Sequence, residues 1–78
     1  MKIIIAGTGE VGFHLSKLLA QESHDIVIID TSKIALEKAT KNLDVSTIRG
    51  DATSIKTLES AGVSKADLLI AVTSTQHI

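Results

Sequence analysis

Between a short apolar run, Ile3-Ile4-Ile5-Ala6, and an amphipathic stretch that opens at Val11 stands Gly7-Thr8-Gly9-Glu10-Val11-Gly12. A G-x-G-x-x-G spacing with a strand-like run before it and a helical pattern after it restricts this stretch to a strand, a tight turn and a helix. Gly7 permits the turn, Gly9 lets phosphates approach the backbone, and Gly12 lets the helix lie close to the sheet. Thr8, Glu10 and Val11 complete the loop and the first helical turn, where unpaired N–H groups and the positive dipole end favour a pyrophosphate. An acidic residue, Asp30, closes the next apolar run about twenty residues downstream, the spacing of a carboxylate that accepts from ribose hydroxyls.

Four apolar runs punctuate the chain: Ile3 to Ala6, Ile26 to Ile29, Val45 to Ile48, and Leu68 to Val72. The first, second and fourth are continuous, as in parallel strands covered on both faces. The third, Val45-Ser46-Thr47-Ile48, is more polar and suits an edge strand. Val11, Leu15, Leu18 and Leu19 fall at i, i+4, i+7 and i+8, which predicts that they form the buried face of the first helix. The second helix is expected from an N-cap at Thr31 or Ser32 to about Asn42, with Leu36, Ala39 and Leu43 inward and Glu37 paired to Lys41 outside. The third starts at Thr53 or Ser54 and ends before Gly62, a C′ glycine.

The pattern is βαβαβαβ, an α/β fold with right-handed crossovers and a parallel sheet between two helical layers. The expected strand order is 3-2-1-4, that of a Rossmann-like three-layer domain truncated after its fourth strand. The switch point between the first and fourth strands sets Gly7 to Gly9 opposite Thr73-Ser74 across a crevice. The chain has 78 residues and reads as one partial domain, residues 1–78, at the N-terminus of a longer protein. One sheet face is expected to be only half covered and to be completed by a second copy.

Composition narrows the function classes. Net charge is -1 with mixed signs, and Phe13 is the one aromatic residue. Neither favours nucleic acid as a partner. Without cysteine there is no disulfide, thiol nucleophile or thiolate metal site. No apolar stretch is long enough to span a bilayer, so direct membrane insertion is not expected. No H-x-x-x-H spacing or carboxylate cluster suggests a metal.

Other candidate residues follow from position. Asp30 either accepts from the ribose hydroxyls or merely caps the second helix; in the first role it favours NAD(H) over NADP(H), because a 2′-phosphate meets like charge there, and the ribose of ATP or ADP satisfies it equally. Asp51 and Ala52 follow the third strand. Either the Asp51 carboxylate accepts from an adenine amino group beside a backbone donor, or the segment is only a turn and a helix start. Thr73 and Ser74 contact a phosphate or the distal ribose, or merely end the strand. Glu10 sits well at a helix N-terminus, or faces another subunit or ion. His14, one turn beyond it, is structural or at a subunit contact. Nothing marks a catalytic residue.

Taken together, Met1 through Gly12, Asp30 before a Ser/Thr-capped helix, Arg49-Gly50-Asp51-Ala52-Thr53, and Ala66-Asp67 leading into Ile70-Ala71-Val72-Thr73 resemble the N-terminal nucleotide-binding (RCK or KTN, TrkA-N) domain of Trk-type potassium-uptake regulatory proteins. The resemblance covers essentially the whole chain. It implies a cytoplasmic regulatory subunit, not an enzyme, that binds NAD(H) or ATP/ADP. It also implies assembly into homo-dimers or rings on the inner face of the membrane beneath an embedded potassium transporter. It assigns the pyrophosphate to Gly7 through Gly12, ribose hydroxyls to Asp30, adenine to Asp51-Ala52, and the distal part of the ligand to Thr73-Ser74. Two other classes share the pattern: the cofactor-binding half of an NAD-dependent dehydrogenase, and a dimerisation module with an empty nucleotide site.

Overall fold

The computed structural model describes residues 1–7 and 9–72, with the Glu10 side chain left out. Its sheet has four parallel strands: β1 (Lys2–Ala6), β2 (Asp25–Asp30), β3 (Ser46–Arg49) and β4 (Leu68–Ala71). Their order is β3-β2-β1-β4, the Rossmann-like arrangement expected from the sequence. Lys2 to Ala6 pair with Asp25 to Ile29, and Ile3 to Ala6 with Leu68 to Ala71 on the other side.

The two central strands carry the core because both of their faces are covered. Ile3, Ile5, Ile26 and Ile28 pack under helices α1 (Glu10–Gln21) and α2 (Lys33–Asn42) with Leu36, Ala39, Leu19 and Ala20. Ile4, Val27 and Ile29 face the opposite layer, where Ala61 follows helix α3 (Ile55–Ser60). Burying an isoleucine is worth about 1.5–3 kcal/mol, so these seven residues anchor the fold. β3 is the half-exposed edge that its polarity predicts. β4 departs from expectation: Leu68 and Leu69 remain 44% and 47% exposed. β4 forms the other sheet edge among the described residues, with β1 as its one neighbouring strand, so its continuous apolar run does not mean cover on both faces.

Helix α1 also corrects the sequence reading. Its inward face is Gly12, Ser16, Leu19 and Ala20, whereas Val11 and Leu18 are 69% and 59% exposed. The cause is steric. A Cβ on Gly12 would lie 2.6 Å from the carbonyl oxygen of Gly7, so the helix lies against the turn through its smallest residue. Ser16 is then fully buried, and its hydroxyl donates to the Gly12 carbonyl at 2.8 Å. This satisfies the one polar atom on that side chain.

The remaining local signals behave as residue chemistry dictates. Ser32 caps α2 by accepting from the Ala35 N–H at 3.2 Å, and Ser54 caps α3. Gly62 follows α3 with φ +83, the left-handed conformation of a C′ glycine. A single 3-10 turn, Val63–Lys65, then leads into β4. Glu37 and Lys41 are both exposed and form no ion pair, since fixing two long side chains at a surface offsets the modest Coulomb gain.

Candidate nucleotide site

The carboxyl ends of β1, β2 and β3 and the start of α1 surround a cavity of about 460 Å³. That lies within the range of small-molecule sites, and the position is where open α/β sheets bind ligands. Gly7, Gly9, Asp30, Asp51 and Ala52 all line it, so one cavity gathers residues spread over more than half the chain.

Gly7 builds the turn. Its φ is +100, and its N–H donates to the Ile29 carbonyl at 2.7 Å, continuing the β1–β2 ladder past the strand end. On the other side the Val72 N–H donates to the Ala6 carbonyl at 2.8 Å. A Cβ on Gly7 would run into the carbonyl oxygen of Val72 and sit 3.1 Å from its carbonyl carbon. The turn is therefore clamped between α1 and the end of β4, at the topological switch point.

Gly9 is the N-cap of α1 and makes no side-chain capping hydrogen bond; its carbonyl accepts from the Phe13 N–H at 2.8 Å. The first turn of α1 therefore has no side-chain acceptor on its cap, which leaves a helix N-terminus suited to an anion. Gly12 and Val11 do not line the cavity: Gly12 lies under Gly7, and Val11 is exposed. The Thr8, Thr73 and Ser74 positions, and the Glu10 side chain, lie outside the described residues.

The two carboxylates are held differently. Asp30 ends β2; its carbonyl accepts from the Gly50 N–H at 3.0 Å and its Oδ1 from the Ser32 N–H at 2.9 Å. Asp51 Oδ1 accepts from both the Thr53 N–H at 2.8 Å and the Thr53 hydroxyl at 2.7 Å. Those two donors, the backbone one foremost, hold the Asp51 carboxyl below its ordinary value of 3.8, so it is ionised at neutral pH. Asp51 thus does what the turn reading asked and also faces the cavity. A carboxylate has lone pairs for more than one donor, so each can also accept from a ligand hydroxyl or amine.

Several lining residues escaped sequence reasoning. Leu58, Leu69, Ala71 and Val72 supply an apolar wall, and Thr31 and Thr53 flank the carboxylates. Of these, Thr53, Ala71 and Val72 stood in segments already singled out, beside Asp51 and Thr73-Ser74, but none was read as a lining residue. Leu58 sits on α3, whose rotation the pattern does not fix. The combination suits a molecule with an anionic part, a hydroxylated part and a flat apolar part. Among the described residues, no group of three or more His, Asp or Glu side chains is placed to hold a metal. Also among them, no helix is long and apolar enough to cross a membrane.

The chain matches the TrkA-N domain family over residues 3–77 and belongs to it. Relatives include the Trk system potassium uptake protein TrkA homolog of Archaeoglobus fulgidus, 44% identical over all 78 residues of this chain and 17% of that protein. The Trk system potassium uptake protein TrkA of Halomonas elongata is 42% identical, again over all of this chain and 17% of its own length. The chain therefore spans about one-sixth of these curated relatives. Among solved structures, the Shewanella denitrificans Kef CTD in AMP-bound form superposes with a TM-score of 0.79 at 28% identity, over 96% of this chain and 44% of that one.

Proposed function

We propose that this domain is the nucleotide-sensing part of a potassium-uptake regulator, and that the 460 Å³ cavity takes an adenine nucleotide of the NAD(H) or ATP/ADP class. The observation that carries the reading is the meeting of the Gly7–Gly9 turn with Asp30 and Asp51 around one cavity. The phosphates lie on the N-terminus of α1, with Gly9 giving the backbone room and Gly7 and Gly12 holding the turn. Thr8, Glu10 and Val11 belong to that phosphate loop. Asp30 accepts from the ribose hydroxyls, Asp51 and Ala52 meet the adenine, and Thr73 and Ser74 meet the distal part. The names of the relatives and the AMP in the Kef structure support the same reading.

The role is regulatory rather than enzymatic. The nucleotide acts by binding one arrangement of paired domains better than another, and that difference in affinity is all that can bias a partner. The partner is a membrane-embedded potassium transporter. The domain works on its cytoplasmic side within a homo-dimer or ring, touching the membrane through the transporter alone.

Calorimetric titration of the intact protein with NADH, NAD, NADPH, ATP, ADP and AMP tests this. Binding of at least one ligand other than NADPH, weakened about tenfold or more in Asp30→Ala, is expected, since removing a charged acceptor costs about 1.5–3 kcal/mol. A folded protein that binds none of them refutes the reading.

A further inference from the structure

Strand β3 reaches across to the turn that carries Asp30. Asp30 and Arg49 are register partners on the last rung of the β2–β3 ladder. The Arg49 Nε–H donates to the carbonyl of Thr31 at 3.2 Å. The N–H at the other end of that peptide unit belongs to Ser32 and donates to Asp30 Oδ1 at 2.9 Å. One peptide is thus gripped at both ends, by a guanidinium on its oxygen and a carboxylate on its nitrogen. Because the unit is planar, neither end turns without the other. A cation on the carbonyl also polarises the amide and strengthens its N–H as a donor to the carboxylate. Arg49 is not among the residues lining the cavity; it borders the groove beside α2 with Lys33 and Thr47. Its influence on a ligand therefore runs through Thr31, Ser32 and Asp30.

We infer that Arg49 is a positioning residue for nucleotide recognition: through the Thr31–Ser32 peptide it fixes the orientation of the Asp30 carboxylate toward the ribose hydroxyls. This rests on the nucleotide reading above. A lysine does not substitute fully, because the donor is the Nε–H of a planar guanidinium while an ammonium on a flexible stem is a point charge.

The test compares AMP with 2′,3′-dideoxy-AMP on the intact protein by calorimetry. Arg49→Met is expected to weaken AMP about three- to tenfold, the range of one hydrogen bond, and to leave the dideoxy analogue within about twofold. In an Asp30→Ala background the same change adds no further loss. Arg49→Lys recovers part of the AMP affinity. In the unliganded protein the Ser32 amide exchanges faster in both Arg49→Met and Arg49→Gln. Equal losses on the two ligands, or unchanged Ser32 exchange, overturn the inference while the nucleotide reading stands. Wild-type protein that binds neither ligand overturns the inference, and one that also binds none of NADH, NAD, NADPH, ATP and ADP overturns the nucleotide reading with it.

Discussion

Replacing Gly7 with alanine asks two things of the structure at once. The residue has φ +100, a conformation that costs an L-residue about 1–2 kcal/mol. The added Cβ also runs into the Val72 carbonyl oxygen, with the carbonyl carbon 3.1 Å away, and both are backbone atoms that no rotamer change moves aside. Overpacking of that kind costs about 1–3 kcal/mol. The bonds at risk are Gly7 N–H to Ile29 at 2.7 Å and Val72 N–H to Ala6 at 2.8 Å, which tie the turn to both neighbouring strands. The expected loss is about 2–5 kcal/mol, a large part of a small domain's stability. At about 4–8 °C per kcal/mol for a small domain, that means a Tm drop of at least about 8 °C. Gly9→Ala is the control. Gly9 has φ −52, which any residue adopts, so its Tm is expected to change by less than about 4 °C. On the proposed phosphate site a Cβ at Gly9 would stand where phosphates approach the backbone, so nucleotide affinity is expected to fall about tenfold or more. Thermal unfolding and calorimetry on both variants separate the roles. A Gly7→Ala protein that melts within about 4 °C of wild type refutes the packing argument, and a Gly9→Ala protein with unchanged affinity refutes the approach argument.

Three further outcomes follow from the same geometry. Ser23 sits at φ 65 just past α1, so Ser23→Gly is expected to stabilise the protein by about 0.5–1 kcal/mol in urea titration, and a lower midpoint counts against that account. The corrected α1 face predicts that Leu18→Gln changes stability by at most about 0.5 kcal/mol, while Ser16→Leu costs about 1–3 kcal/mol; the reverse ranking restores the face read from the sequence. Asp51 has a lowered folded pKa, so its contribution is present above the unfolded value of 3.8 and is lost as pH falls through the folded one. Thr53→Val removes the hydroxyl donor but keeps the backbone one, and a carbon-detected NMR titration is expected to show Asp51 moving part of the way up toward 3.8; an unmoved value rejects the hydroxyl's share.

The parts of the fold legible in the sequence are those that depend on one residue type at one position. Ile3 to Ala6 and Ile26 to Ile29 are buried on both faces, so continuous apolarity sufficed to read them as central parallel strands. The Thr31-Ser32 pair announces a helix start and Gly62 a stop, and Ser32 is the one of the pair that caps α2. The rotation of α1 was misread because periodicity counts apolar residues, whereas the packing is decided by the absence of a side chain at Gly12. The helical repeat from Gly12 through Ser16 to Leu19 and Ala20 was present, but a glycine and a serine do not score as a buried face. β4 was misread for a related reason: Leu68 and Leu69 carry the composition of a central strand at the edge of the described sheet.

The candidate site divides along the same line. That Gly7, Gly9, Asp30 and Asp51 line one cavity was legible from spacing, because each stands at or just beyond the carboxyl end of a strand and parallel strands bring those ends to one edge whatever lies between them. The contacts that orient those residues were not found, because they run between main-chain and side-chain atoms whose partners depend on register. Arg49 meets the turn after Asp30 only because β2 and β3 pair Asp30 with Arg49; a shift of one residue would place Ile48 there instead. That register is set by core packing, with Ile29 buried opposite Ile48 on the α3 side of the sheet. The orientation of the Asp30 carboxylate is therefore fixed partly by apolar residues that never approach the cavity mouth. Substitutions that slip the β2–β3 register should weaken recognition at Asp30 even where the fold survives.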